Sequence, residues 1–270
     1  MSGILLFVPM YNCERQIPRV LAHLDAAAAA AFGHVLVVDN GSRDGSVAAA
    51  TAALAHLTIP WTVLRNDANY NLGGSHKVAF AFALERGFEH LVVLHGDDQA
   101  DVGDVMPLLA AGRHRDLDCL LGSRFSRGSR RVGYSRFRTF GNLVFNGIFS
   151  LAAGRLLVDL GSGLNVFAVR WLADRFWTGL ADDLTFNNHL LLAMVDRRAR
   201  IAFFPISWRD EDQVSNVRLF RQARRTLGIA CGYGLLRGRY LWRKHTQRGP
   251  TEYTGTVVAR GEPVVTGSAP

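Results

Sequence analysis

Residues 91–101 read LVVLHGDDQAD, and the fold class turns on how this stretch is understood. Four apolar residues, Leu91, Val92, Val93 and Leu94, run without a break into His95, Gly96, Asp97, Asp98, Gln99 and Asp101. An apolar run of that length, ended by glycine and acids, suits a strand buried on both faces of a parallel sheet. Open sheets of this kind deliver functional groups at the carboxyl ends of their strands, in the crevice above the sheet. Oxygen-rich side chains gathered there suit a hard divalent cation and, through it, a phosphorylated ligand. Taken alone, the same residues equally suit a solvated acidic loop that caps the next helix.

The segments upstream favour the sheet. Residues 4–8 form a first buried strand closed by Pro9, and residues 34–39 (HVLVVD) a second. Between them Ile17, Val20, Leu21, Leu24 and Ala28 fall at helical spacing, with Pro18 in the first turn and Gly33 as the stop. Asn40-Gly41-Ser42-Arg43-Asp44-Gly45-Ser46 is turn chemistry ahead of an alanine-rich helix. A third strand is expected over residues 58–64. A small-residue loop, Asn69-Tyr70-Asn71-Leu72-Gly73-Gly74-Ser75, then opens a helix over about 76–86.

Downstream, a helix over 102–111 leads to a fifth strand at 117–121. Strands alternating with helices at this spacing argue a doubly wound, mostly parallel α/β sheet. After Gly122 the pattern loosens. Residues 123–138 read as a mobile basic loop, 140–153 as a helix, 164–169 as a strand, 184–195 as a buried helix and 201–206 as a strand. A basic amphipathic segment covers 217–242, and from about 245 a Gly-, Thr- and Pro-rich stretch is expected to be a disordered tail. The expected organisation is a domain over 1–217, split into a nucleotide-binding half (1–122) and an acceptor half (123–217). The basic segment (218–244) and the tail (245–270) follow.

The totals narrow the setting. The net charge of +8 is uneven: residues 113–138 carry eight arginines against two aspartates, and residues 218–248 carry nine Lys or Arg and no acid. Such patches suit phosphorylated substrates, anionic lipid or nucleic acid. Cys13, Cys119 and Cys231 are odd in number, far apart and without metal-ligand spacing, which suits a reducing compartment and a cytoplasmic protein. Residues 4–8 are too short, and lack a preceding basic residue, to read as a signal peptide. No stretch reaches the ~20 apolar residues of a membrane span.

A dinucleotide-binding fold needs a Gly-rich turn straight after the first strand. Here that turn is Pro9-Met10-Tyr11-Asn12, and no P-loop is present either. The order of motifs instead resembles the inverting family 2 glycosyltransferases of the GT-A fold. Val8-Pro9-Met10-Tyr11-Asn12 is similar to that family's V-P-x-Y-N loop. Residues 37–46 (VVDNGSRDGS) resemble its V-V-D-D-G-S-x-D-G-T segment, and Asn71-Leu72-Gly73-Gly74 its N-x-G-x-G loop. His95-Gly96-Asp97-Asp98-Gln99 falls where the family, polyprenyl-phosphate sugar transferases included, carries D-A-D-L-Q. Gly122-Ser123-Arg124 and residues 159–164 (DLGSGL) have counterparts as well. Each motif alone is weak, whereas six in order are specific.

The resemblance implies a nucleotide site formed by Pro9, Tyr11, Asn12, Asp39, Gly41, Ser42, Asn71, Gly73 and Asp97. Asp39 would accept hydrogen bonds from a base N–H, and Tyr11 would stack on the base. Asp97 would hold a divalent cation, Mn²⁺ or Mg²⁺, bridging the diphosphate, with Gln99 and His95 as further metal ligands. His95 replaces the family's first carboxylate, and a neutral imidazole suits Mn²⁺ better than Mg²⁺. Arg124 would clamp phosphate. Asp182 and Asp183 stand where a general base for a hydroxyl acceptor is expected, although helix capping accounts for them equally well. The G-x-S-K segment of the lipid-phosphate transferases is not reproduced after Pro205-Ile206.

The chain is therefore expected to be a metal-dependent inverting glycosyltransferase. It would move sugar from a UDP- or GDP-sugar to a polyprenyl phosphate or a glycan, with no nucleic-acid partner. Basic and aromatic residues interleaved in residues 218–244 suit peripheral contact with an anionic membrane, on its inner surface. The rival reading is a non-catalytic binder of nucleic acid or anionic membrane that uses the two arginine-rich patches. A nucleotidyltransferase on a similar fold is a third, but it lacks a Gly-rich loop with paired Arg and Lys near the first strand.

Overall fold

The structure, a computed structural model, describes residues 3–210 and 219–262. Its centre is an eight-stranded sheet in the order β10-β3-β2-β1-β4-β7-β5-β8. The parallel core comprises β1 (Ile4–Met10), β2 (His34–Asp39), β3 (Trp61–Asn66) and β4 (His90–Leu94). Next, β5 (Cys119–Ser123) and β8 (Ile201–Pro205) pair in parallel, and β7 (Leu164–Ala168) lies antiparallel between β4 and β5. A small second sheet pairs β6 (Arg130–Val132) with β9 (Ser207–Arg209).

Two-residue periodicity in β1 divides the core into two layers. Leu5 and Phe7 face one hydrophobic cluster and Leu6 and Val8 the other. The first layer is covered by α4 (Asn71–Glu85), α6 (Arg136–Ala153), α7 (Phe186–Asp196) and α8 (Leu219–Leu236). The second is covered by α1 (Ile17–Ala22), α2 (Ala26–Ala30), α3 (Ser46–Leu54) and α5 (Met106–Ala110). A short α9 (Gly238–Leu241) follows α8. Strands 1 to 4 run outward in both directions from β1, so the crevice between β1 and β4 is the switch point where ligands of open α/β sheets bind.

The expected doubly wound, mostly parallel sheet is present, with several corrections. Asp25 caps a fresh helix by accepting from the Ala28 amide at 2.8 Å, so the single helix expected over 17–33 is two. Pro9 lies inside β1 instead of ending it, and β3 starts at Trp61 instead of Thr58. Residues 123–138 are not a mobile loop, because β6 and the start of α6 order them. α8 forms despite Gly228, Gly232 and Gly234. Gly234 has Ala152 of α6 as its nearest neighbour, so helix packing outweighs the weak propensity there.

The tail is the largest correction. Residues 245–262 are ordered, and β10 (Gly255–Gly261) adds to the free edge of β3 as an antiparallel strand. Tyr253 anchors it. Lys77 on α4 is wholly buried, and its ammonium donates to Asp182 Oδ1 at 2.8 Å, to the Leu180 and Thr178 carbonyls at 2.6 and 3.0 Å, and to Tyr253 Oη at 2.9 Å. Asp182 also accepts from Tyr253 Oη at 2.7 Å and from Thr246 Oγ1 at 2.6 Å. A lysine inside an apolar helix face is tolerable only with this full complement of acceptors. The remaining residues of the tail, 263–270, lie outside the described residues.

Asp182→Ala is expected to leave a buried ammonium without its counter-ion and to cost about 3–5 kcal/mol in urea unfolding. Tyr253→Phe, which removes one hydroxyl, should cost about 1 kcal/mol. Burial pushes the Asp182 carboxyl up, but bonds from Lys77, Thr246 and Tyr253 outweigh it and hold the group below the usual range. Its stabilisation is therefore full above the unfolded value, ~3.9, and is lost as pH falls through the lower folded value. Acid titration of wild type and Asp182→Asn should diverge in that window.

Candidate active site

A cleft of about 520 Å³ opens at the carboxyl ends of β1, β2 and β4. That volume is in the range of small-ligand sites, and the position is the switch point of the sheet. Pro9 and Tyr11 form the wall from β1, Asn40 from the turn after β2, and Asn69, Asn71 and Ser75 from the start of α4. His95, Gly96 and Asp97 supply the wall after β4, Asp183 and Leu184 the wall before α7, and Gln222 and Arg225 the wall from α8.

Of the residues singled out in the sequence, Pro9, Tyr11, Asn71, His95, Asp97 and Asp183 meet in this cleft. Tyr11 is half exposed, with its ring available at the rim. Asn12, Asp39, Gly41 and Ser42 form a clasp beside that wall. Asp39 is fully buried; its oxygens accept from the Ser42 amide at 3.1 and 3.2 Å, and Arg65 Nε lies 3.5 Å away. The carboxylate expected to meet a base N–H thus underlies the cleft and fixes the Gly41–Ser42 turn, where Gly41 takes φ +82°. Asn12 closes the same clasp: its amide donates to Ser42 Oγ at 2.9 Å, and its side-chain oxygen accepts from the Arg43 amide at 2.9 Å.

Gly73, expected in the nucleotide site, does not line the cleft and serves close packing. A Cβ there would stand 2.5 Å from the Ala181 carbonyl oxygen, and its amide donates to Asp182 O at 2.6 Å. Arg124, the expected phosphate clamp, is also engaged elsewhere. Its Nε and Nη2 donate to Asp159 at 2.9 and 2.7 Å, Nη2 also reaches Gly161 O at 3.1 Å, and the Trp208 ring lies beneath the guanidinium. Burial opposes its charge, yet Asp159 outweighs burial and raises the guanidinium above its usual value. This pair is a structural bolt between β5 and β7. Asp182 is likewise engaged by Lys77 and does not line the cleft.

Asp183 keeps a place in the cleft. Its Oδ1 accepts from the Thr185 hydroxyl and amide at 2.6 and 2.9 Å, and Oδ2 pairs with Arg225 at 2.8 Å. Burial works to raise this carboxyl, but the Thr185 bonds and Arg225 outweigh it and hold it low, so it is ionised at neutral pH.

The donor set for a cation is small. Asp97 and His95 face the cleft together, and burial pushes the His95 imidazole down to about 4, which leaves it neutral. Its Nε2 is buried and has no hydrogen-bond partner. Gln99 does not line the cleft: its Nε2 donates to Asp210 Oδ1 at 3.0 Å, which holds the side chain toward β9. Among the described residues no group of three His, Cys, Asp or Glu side chains could hold a metal by itself. Asp97 and His95 therefore fit an ion that arrives with a ligand whose own oxygens complete the shell, as a diphosphate does.

Sequence reasoning missed Asn40, Asn69, Ser75, Gln222 and Arg225. Asn40 was visible as the residue beside Asp39. Its Oδ1 accepts from Asn66 Nδ2 and the Tyr70 amide at 3.0 and 2.8 Å, and its Nδ2 donates to Asn69 Oδ1 at 2.9 Å. Gln222 and Arg225 lay in a stretch read as separate from the catalytic domain, and no local pattern brings it back to the cleft.

Residues 6–176 match the model of glycosyl transferase family 2. The undecaprenyl-phosphate mannosyltransferase of Micrococcus luteus is 29% identical over 165 residues, 61% of this chain and 65% of that protein. The polyprenol monophosphomannose synthase of Mycolicibacterium smegmatis is 28% identical over 124 residues, 46% of each chain. The matches thus span between about half and two thirds of these relatives. Among solved structures, glucosyl-3-phosphoglycerate synthase of Mycobacterium tuberculosis in complex with UDP superposes with a TM-score of 0.61 at 15% identity, covering 96% of this chain and 90% of that one. The same enzyme with Mn²⁺, UDP and phosphoglyceric acid gives 0.59 at 17% identity, covering 85% and 78%. At these identities the likeness concerns the fold. No helix among the described residues is long and apolar enough to cross a membrane. With the family model spanning well over half its length, the chain belongs to glycosyl transferase family 2, carries the GT-A fold and is similar to the polyprenyl-phosphate sugar transferases of that family.

Proposed function

We propose that the chain transfers a sugar, with inversion, from a nucleoside diphosphate sugar to a polyprenyl phosphate in the cleft between β1, β4 and α8. The observation that carries this is the meeting of Tyr11, Asn40, His95 and Asp97 in one cleft at the switch point. Pro9 and Tyr11 wall the base, and the Asn40–Asn69 pair offers amides to the ribose or base edge. Asp97 and His95 hold the divalent ion, Mn²⁺ in preference to Mg²⁺ because one ligand is a neutral imidazole. That ion, when bound, neutralises charge on the departing diphosphate. A lipid phosphate is already an anionic nucleophile, so no side chain need take a proton from it. Asp183, held ionised by Thr185 and Arg225, lies on the acceptor side of the cleft.

The acceptor class is supported by the surface next to the cleft. α6 and α8 lie side by side, with Arg237 Nη1 donating to Ala152 O at 3.1 Å. Together they expose Phe137, Phe140 and Leu151 from α6, and Phe220 and Leu235 from α8, the last three with 85%, 94% and 83% of their surface open. Arg136 of α6, Arg221 and Arg224 of α8 and Arg239 of α9 are exposed as well. Exposed apolar and guanidinium side chains on the same helices suit the surface of an anionic bilayer.

Calorimetry with UDP and GDP is expected to give nucleotide binding that needs Mn²⁺, and Asp97→Ala should weaken it by at least about tenfold. Binding that is indifferent to the metal, or unchanged in Asp97→Ala, would sink the enzyme reading in favour of a non-catalytic binder. Transfer itself is tested by offering polyprenyl phosphate to the enzyme with each common nucleotide sugar. In co-sedimentation with vesicles containing phosphatidylglycerol, the wild type is expected in the pellet. The Leu151→Ser, Phe220→Ser, Leu235→Ser triple variant should partition more than about tenfold less, since each side chain is worth ~1.5–3 kcal/mol on burial. Equal sedimentation of the two proteins would remove the membrane surface from this account.

A further inference from the structure

We infer that Arg225 is the specificity-determining residue that recognises the anionic group of the acceptor, with Asp183 as its counter-ion while the acceptor is absent. The inference rests on the reading of the cleft as a sugar-transfer site and names the residue that meets the second substrate.

The first support is the charge of the wall. Among the described residues, the charged side chains lining the cleft are Asp97, Asp183 and Arg225, and His95 is neutral at ordinary pH. Two carboxylates and one guanidinium must therefore accommodate a site that takes up phosphate groups. Asp97 faces the strand end where a cation and the donor diphosphate fit. Arg225 is the remaining positive charge on the wall, and it stands on the other side, against α7. Arg124, the arginine that motif order would put in this role, is bolted to Asp159 and does not line the cleft.

The second support is the geometry of the pair. Asp183 offers Arg225 only Oδ2, at 2.8 Å, because Oδ1 is taken by the Thr185 hydroxyl and amide. Half of the Arg225 side chain is open to solvent. A guanidinium is a fork of five donors, suited to two parallel bonds with a phosphate or carboxylate. A single-oxygen contact leaves that capacity unused, so a phosphate monoester with three oxygens can displace Asp183 without breaking anything else. Gln222, one helical turn earlier on α8 and also in the wall, adds an amide donor.

The third support is continuity. Arg225 is on α8, the helix whose Phe220 and Leu235 are exposed on the apolar face, and Leu184 beside Asp183 is half exposed at the cleft mouth. An amphiphile with an apolar chain and a phosphate head meets matching chemistry along one helix: hydrocarbon outside, guanidinium inside. A neutral prenol would find the same apolar surface but leave the Arg225–Asp183 pair unaltered. Arg225 thereby separates charged from uncharged acceptors.

The test uses the full chain with Mn²⁺ and UDP or GDP, titrated with farnesyl phosphate and with farnesol as the uncharged control. Arg225→Gln is expected to weaken farnesyl phosphate at least about tenfold, to leave farnesol and nucleotide affinity within about twofold, and to be partly rescued in Arg225→Lys. Asp183→Asn, which removes the competing counter-ion, should tighten farnesyl phosphate severalfold; a merely structural ion pair would instead loosen it. Unchanged farnesyl phosphate affinity in Arg225→Gln overturns the inference. Nucleotide binding by the wild type without any preference for farnesyl phosphate over farnesol overturns it too, while leaving the donor site intact. Failure of the wild type to bind nucleotide at all overturns the transfer reading itself, and this inference with it.

Discussion

Lys77 is the constraint on which the rest of the molecule depends. An ammonium with no exposed surface can persist only where every proton finds an acceptor, and here the lysine and its acceptors come from three separated parts of the chain. α4 brings the lysine. The segment before α7 brings two carbonyls and Asp182, and the C-terminal segment brings Tyr253. Gly73 and Gly74 donate to the Asp182 carbonyl, and the missing Cβ of Gly73 lets α4 approach that segment. Asp183, the next residue, is thereby delivered to the cleft. One buried charge thus ties the α4 wall of the cleft to the wall before α7.

A similar logic governs the other charged pair of the interior. Arg124 and Asp159 satisfy one another between the β5 end and the β7 approach, with Trp208 covering the guanidinium. Such bolts cost desolvation and return geometry. Among the described residues, what remains to act on ligands is a small set of groups at the sheet's switch point: a carboxylate, a neutral imidazole whose buried nitrogen has no hydrogen-bond partner, several amides, and one guanidinium on loan to a carboxylate.

The parallel strands were legible in the sequence because burial on both faces leaves continuous apolar runs, as in residues 34–39 and 91–94. The motifs after those strands were legible for the same reason, since strand ends determine where loops stand. The partners of those loops were not. Whether Arg124 meets a substrate or Asp159 depends on a residue 35 positions away, and nothing local decides it. Lys77 sits in a run of good helix formers and carries no mark of burial. Gly73 and Gly74 read as loop because glycine disfavours helix, whereas they are there for close approach. The tail read as disordered because Gly, Thr and Pro dominate its composition. Val257, Val258 and Ala259 become a strand only when the β3 edge is offered to them.

That last strand has a consequence for the order in which the protein can assemble. The β10–β3 pairing joins Thr256 to Arg65 and Gly261 to Trp61, and Tyr253 must arrive before Lys77 has all its acceptors. Contacts of such span are slow to form, because the loop between them must be closed first. During synthesis β3 and Lys77 leave the ribosome well before β10, so until that strand docks the β3 edge is unpaired and Lys77 lacks the Tyr253 acceptor. Maturation of the cleft is thus coupled to the late emergence of a segment that contributes no residue to its wall.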